Sequence, residues 1–354
     1  MDNKKDLLEL PRALREALEK GGPEYDKLVR QTRWGDGPIY VLASGATQAA
    51  ALASAYAFEV LVGMPAVVRA AAEFQAYSLS VLRPRSILLA IEHAEESPEI
   101  LDAVRAAKCR GATILALTGN QQSELAQMAD AAYLVRTAGA QPGSLRADFC
   151  QHAMACYLGF AAARALKRPN EYLRGLEEEF PKLPDQIEWA FSQLSEAVHA
   201  LAAELETAPR LQVVGGGFYY PVALHWVETL RRLKGIDGRA FNGLGTEFRE
   251  LRPHEPGDIV MLLSGSRCRG RKTIHALAEN AKRAGKKLLA LTDKNDPEIT
   301  RRAALAIMIP VLCEEVGSLV GLALLDWVAC HGGPAPAGGR ERGRAEPRPH
   351  AGRS

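Results

Sequence analysis

The 354-residue chain repeats itself. Ile87–Ile91 is answered by Ile259–Leu263, Ile114–Thr118 (ILALT) by Leu288–Thr292 (LLALT), and Tyr133–Val135 by Ile307–Ile309. The offsets are nearly constant: 259 − 87 = 172, 288 − 114 = 174 and 307 − 133 = 174. A fourth pair, Ile39–Ala43 and Leu211–Val214, runs into Ser44-Gly45-Ala46-Thr47 in one case and Gly215-Gly216-Gly217 in the other. Such regularity predicts two copies of one unit.

Each copy alternates short apolar runs with helical stretches. Ala49–Val62 and Pro98–Arg110 read as helices in the first, Tyr220–Leu233 and Arg271–Ala284 in the second. Runs that are apolar throughout suit strands of a parallel sheet covered by helices on both faces. The fold class expected is therefore α/β: two tandem doubly wound parallel-sheet domains, each a three-layer αβα sandwich. The units are placed at 35–165 and 209–331. A helical segment, 1–34, precedes them, and a helical connector, 166–208, joins them with a break near Pro181–Pro184. From Gly332 the composition turns to Gly, Pro and Arg, so 332–354 is expected to be a solvated, disordered tail.

Composition excludes several classes of function. A net charge of +2 is too small for a nucleic-acid or acidic-lipid binder. The most apolar late stretch, Leu319–Val328, is about half the length that spans a bilayer and contains Asp326. No secretory leader is expected, because Glu9, Arg12, Arg15 and Glu16 interrupt the first helical stretch. The cysteines at 109, 150, 156, 268, 313 and 330 form no CxxC pair, which favours reduced, mostly buried thiols over disulfides or zinc ligands. A cytoplasmic protein without metal or cofactor is the expectation.

Ligands of doubly wound sheets sit at the carboxyl ends of the strands, against helix N-termini. Ser44-Gly45-Ala46-Thr47-Gln48 suits a phosphate, and suits plain N-capping equally well. The loop Ser264-Gly265-Ser266-Arg267-Cys268-Arg269-Gly270-Arg271-Lys272-Thr273 combines three hydroxyls, two glycines and four cations and is the stronger anion signal. The corresponding first-copy loop, Glu92-His93-Ala94-Glu95-Glu96-Ser97, carries three carboxylates that repel a dianion but favour a helix N-terminus. His93 reads as an acid–base group or a loop histidine.

These segments resemble the sugar isomerase (SIS) domain pair, found in the isomerase half of glucosamine-6-phosphate synthase and in fructosamine-6-phosphate deglycases. The carrying residues are ASGATQAAALASAYAFEVLVG (Ala43–Gly63), AAEFQAY (Ala71–Tyr77), the run from Ser86 to Val135, VVGGGFYYPVAL (Val213–Leu224) and TEFRELRP (Thr246–Pro253). The resemblance covers about 35–330 and implies a phosphorylated sugar or sugar-amine ligand and a homodimer. It implies phosphate contacts at Thr47, with Gly45 and Gln48 beside it, and a sugar contact at Ser144. The family's phosphate loop falls on Glu92–Ser97, where only Ser97 keeps a hydroxyl. The family's catalytic glutamate falls near Gly235, and its Gly-Glu-x-x-His-Gly stretch falls on Thr246–Leu251. There Glu247 keeps the glutamate and Glu250 replaces the histidine. Glu228 and His254 are the nearby substitutes, since proton transfer needs only a group of suitable pKa within reach.

Two functions fit. One is a sugar-phosphate isomerase or deglycase-like enzyme of altered specificity, with Glu228, Glu247, Glu250 or His254 facing the pocket of Thr47 and Ser97. The other is a non-catalytic sensor that binds a phosphosugar through Ser264, Ser266, Arg267 and Arg269. No glutaminase half is expected, because no cysteine follows Met1.

Overall fold

The computed structural model describes residues 2–35, 37–92, 97–167, 171–206, 210–245 and 258–331. It contains two five-stranded sheets. The first comprises β1 (Ile39–Leu42), β2 (Ala66–Arg69), β3 (Ile87–Glu92), β4 (Thr113–Thr118) and β5 (Ala131–Leu134). The second comprises β6 (Leu211–Gly215), β7 (Gly238–Asn242), β8 (Ile259–Leu263), β9 (Lys287–Asp293) and β10 (Leu305–Ile309). Strand order is β2-β1-β3-β4-β5 in one and β7-β6-β8-β9-β10 in the other, every pair parallel. Every residue of β3 and of β8 is buried, the signature of a sheet covered on both faces.

Register carries the repeat further than the apolar runs do. Ile39 lies opposite Ala66 and Ile87, and Leu211 lies opposite Gly238 and Ile259, so 211 − 39, 238 − 66 and 259 − 87 all equal 172. Beyond β8 the offset becomes 287 − 113 = 174 and 305 − 131 = 174. The second copy thus carries two extra residues between β8 and β9. β2 and β7 are additions to the four strands per copy expected from sequence. Both are short edge strands, half-buried for most of their length, and Arg69, Arg239 and Asn242 keep them from reading as apolar runs.

Two helices lie between the sheets and are buried over most of their surface, Leu145–Ala165 and Glu314–Ala329. Gln48–Ala57 packs on the first of them at Gly159, where a Cβ would stand 2.5 Å from Ala57 Cβ. Glycine is what permits that approach. Tyr219–Lys234 packs on the second, with Trp226 Nε1 donating to the carbonyl of Leu325 at 2.7 Å. The helices before β1, Asn3–Leu8, Leu10–Glu16 and Gly22–Gln31, lie against Leu145–Ala165. Between the sheets, Glu171–Glu179 and Leu183–Gln193 are separated by a 3-10 turn, Phe180–Lys182, where Pro181 withholds a backbone donor.

The six cysteines are unpaired; Cys150, Cys156 and Cys268 are buried and Cys109 is exposed. Among the described residues, no helix is long and apolar enough to cross a membrane. The 332–354 segment lies outside the described residues.

Candidate functional site

The first loop is built by a glycine and a threonine. Gly45 is left-handed (φ +48°) and opens the 3-10 turn Gly45–Thr47 that leads into helix Gln48–Ala57. Thr47 Oγ1 accepts the N–H of Ser44 at 3.2 Å and donates to the carbonyl of Ser44 at 2.9 Å, with Ile91 O at 3.4 Å. The Thr47 hydroxyl is buried closing the turn, whereas Ser44, Gly45 and Gln48 are exposed.

Gly45 and Gln48 belong to two cavities at once. One, of about 430 Å³, is framed by Ser44, Arg69, Glu73, Ser97 and Glu99 at the carboxyl ends of the first sheet. It lies at the switch point where β2 and β3 flank β1 on opposite sides. The other, of about 570 Å³, reaches across to the second copy and is lined by Asp148, His225, Glu228, Arg231, Arg232 and Arg239. The shared residues make them two ends of one cleft.

The smaller end is strongly self-engaged. The N–H of Ser97 donates to Glu92 Oε1 at 2.7 Å, and its hydroxyl donates to Glu99 Oε2 at 2.7 Å. That hydroxyl holds the Glu99 carboxyl below its ordinary pKa. Arg69 Nε stands 3.6 Å from Glu73 and supplies the cation. His93 lies outside the described residues.

At the larger end, one helix presents His225, Glu228 and Arg232. Spacings of three and four residues put these side chains on one face of Tyr219–Lys234. Glu228 pairs with Arg231 at 2.7 Å. Arg232 donates to the carbonyl of Gly143 at 2.9 Å and to Asp148 at 3.2 Å, tying the helix to the first copy. His225 Nε2 lies 3.2 Å from Asp326 Oδ2, and both residues are buried. Burial pushes the imidazole of His225 down, but the charge and hydrogen bond of Asp326 outweigh it and the net direction is up. The edge of His152 meets His225 at 6.2 Å; burial and the His225 charge push His152 down to about 3. A carboxylate, an imidazole with a buried counter-ion and several guanidinium groups thus line one space, the group types that acid–base chemistry on an anionic ligand uses.

The residues singled out from sequence divide into three groups. Gly45, Gln48, Ser97 and Glu228 line the cleft, with Thr47 beneath it. Ser144, Ser264, Ser266 and Arg267 stand elsewhere. Ser144 caps helix Leu145–Ala165 by accepting the N–H of Ala147 at 3.3 Å. Ser264 is buried at the end of β8. Ser266 gives its N–H and its hydroxyl to Asp293 Oδ2 at 2.6 and 2.9 Å, and Arg267 pairs with Glu179 at 3.1 Å. Glu247, Glu250 and His254 lie outside the described residues. Sequence reasoning missed His225, Asp326, Asp148, Arg232 and Arg239. The signal for two of them was helical spacing from Glu228, at −3 and +4. Among the described residues no cluster of His, Cys, Asp or Glu is arranged to hold a metal ion.

Residues 35–146 match the family model for the SIS domain. The chain is 26% identical over 330 residues to glutamine–fructose-6-phosphate aminotransferase (isomerizing) of Thermococcus kodakarensis, covering 92% of this chain and 54% of that protein. It is 30% identical over 207 residues to the enzyme of the same name from Mycolicibacterium smegmatis, covering 57% of this chain and 32% of that protein. The chain thus spans about half, or less, of the length of these relatives. In three dimensions it resembles the C-terminal domain of glucosamine-fructose-6-phosphate aminotransferase from Francisella tularensis, with a TM-score of 0.79 at 17% identity over 93% of this chain and 95% of that one. It also resembles tagatose-6-phosphate ketose/aldose isomerase from Escherichia coli, with a TM-score of 0.73 at 14% identity over 93% and 92%. At such identities the structural likeness speaks for the fold.

Proposed function

We propose, on the match of residues 35–146 to the SIS domain, that the chain binds a phosphorylated sugar or sugar-amine in the cleft at Gly45 and Gln48. It acts there as a sugar-phosphate isomerase or fructosamine-6-phosphate deglycase-like enzyme of altered specificity. The observation that carries this reading is that Glu228 of the second copy faces the same cavity as Gly45 and Gln48 of the first. Isomerisation moves a proton between adjacent sugar carbons, so a carboxylate must reach those carbons while a second group serves the ring oxygen. Glu228 is the base in this reading. Arg69, at the smaller end, is the cation for the phosphate. The SIS units are taken as 35–165 and 209–331, in a cytoplasmic homodimer.

One observation favours a second reading, a phosphosugar sensor without turnover. Glu92 and Glu99 already take both hydrogen-bond donors of Ser97, leaving less of the loop for a phosphate. The two readings part in deuterium oxide. Fructose 6-phosphate, glucosamine 6-phosphate and fructoselysine 6-phosphate are incubated with the protein and followed by proton NMR. An enzyme exchanges solvent deuterium into C1 or C2 of one of them or releases its amine, and E228Q stops it. A ligand that binds without exchange or turnover leaves the sensor. Neither binding nor turnover by any of the three contradicts both.

A further inference from the structure

Gly217 is the second-copy equivalent of Gly45, since 217 − 45 = 172. Both are left-handed, at φ +56° and +48°. In the first copy this turn opens onto the cleft. In the second it closes on a carboxylate. Glu314, at the start of helix Glu314–Ala329 and buried, sends Oε1 to the N–H of Phe218 at 3.1 Å. Its Oε2 accepts the N–H of Arg269 at 3.0 Å and Arg269 Nη1 at 2.8 Å. The Cys268 thiol completes the shell, 3.7 Å from Oε1. Arg269 is itself fixed: its other nitrogen reaches Glu315 at 2.9 Å, and its guanidinium lies over the ring of Tyr172 at 4.3 Å. A Cβ at position 217 would stand 2.0 Å from Glu314 Oε1, so turn and carboxylate fit only because Gly217 has none.

Two backbone N–H groups from different loops, each just ahead of a helix, together with one guanidinium, form a receptor for an acceptor-only anion. Carboxylate and phosphate share that chemistry. We propose that the second copy retains an oxyanion cradle, made by the Phe218 and Arg269 amides and the Arg269 side chain, which the chain fills with the carboxylate of Glu314. The cradle is latent. Its natural occupant is part of the fold, and a free phosphate enters only when that side chain is removed. This inference stands apart from the first-copy cleft and holds whichever ligand that cleft takes.

The test uses inorganic phosphate as probe on the full chain. Thermal unfolding of wild type, E314A, E314Q and E314A/R269M is followed in phosphate and in chloride at equal pH and ionic strength. Expected is a saturable rise of a few degrees for E314A beyond the wild-type response. It is absent in E314Q, whose amide still fills the space, and lost in E314A/R269M. A folded E314A that responds to phosphate no more than wild type overturns the proposal. If E314A is recovered only in phosphate buffer and not in chloride, that difference is the same result; failure to recover it in either overturns it.

Discussion

Gly45 and Gly217 occupy the same left-handed position in the two copies, one beside open space and the other against the carboxylate of Glu314. Alanine at either site meets the steric cost of a left-handed backbone, about 1–2 kcal/mol. At 217 it also meets an oxygen 2.0 Å away, whereas at 45 nothing lies within 4 Å. G217A is therefore expected to lose clearly more stability than G45A in urea unfolding. Equal losses would mean that Glu314 is not held in that turn.

The pairing of Arg269 with Glu314 and Glu315 gives a pH-dependent prediction. Removing the guanidinium leaves two buried carboxylates without their cation, which costs roughly 3–5 kcal/mol when a buried pair is broken. Burial already raises the Glu315 pKa, against the pull of Arg269. A carboxyl with a raised pKa contributes most stability when protonated and loses it as pH rises. R269M should thus fall further below wild type at pH 7 than at pH 4.5. A gap that widens on acidification would contradict the pairing.

The buried contact of His225 with Asp326 gives a second pH-dependent prediction. The His225 pKa is net raised, so the charged pair stabilises the fold below the ordinary histidine pKa of about 6.5, and that contribution is lost as pH rises through the folded value. Asp148 supports the imidazolium, while burial and Arg232 oppose it. The stability gap between wild type and D326N should narrow from pH 6 to pH 9. The measurement is denaturant unfolding at each pH, with the His225 ring titration followed by NMR. A constant gap would show that the pair is not charged.

Close packing of two first-copy helices, Gln48–Ala57 and Leu145–Ala165, is testable at Gly159. G159A drives a methyl to 2.5 Å from Ala57 Cβ, an overpacking expected to cost about 1–3 kcal/mol. A57G in the same chain removes that opposing methyl and should recover part of the loss. No recovery would place the strain elsewhere.

Much of the architecture was legible in the residues. Buried strands such as β3 and β8 are continuous apolar runs, and their repetition at 172 points to both sheets. β2 and β7 escape that pattern, because short edge strands interrupted by Arg69 and Arg239 have no such run, though their own spacing, 238 − 66 = 172, keeps the repeat. At the site, Gly45, Gln48 and Ser97 could be named because loops after strands are local patterns, and Glu228 because it lies near the position of the family's glutamate. His225 with Asp326 and Phe218 with Glu314 could not, since their partners lie 101 and 96 residues away and only the folded helices bring them together. The cations of the 264–273 loop read, in sequence, as ready for an external anion. Folded, Arg267, Arg269 and Arg271 are met by Glu179, Glu314 with Glu315, and Asp296, acids contributed by other elements.

The central claim, a phosphorylated sugar in the cleft at Gly45 and Gln48, is tested most directly by a thermal-shift panel at fixed pH and salt. It compares fructose 6-phosphate, glucosamine 6-phosphate and fructoselysine 6-phosphate with fructose and inorganic phosphate, on wild type and on Q48A, whose exposed side chain contributes little to stability. A ligand at about 100 times its dissociation constant stabilises by about 2.7 kcal/mol. The account predicts a shift for at least one phosphosugar, larger than for fructose or phosphate and reduced in Q48A. A flat panel, or a shift unchanged by Q48A, would contradict it.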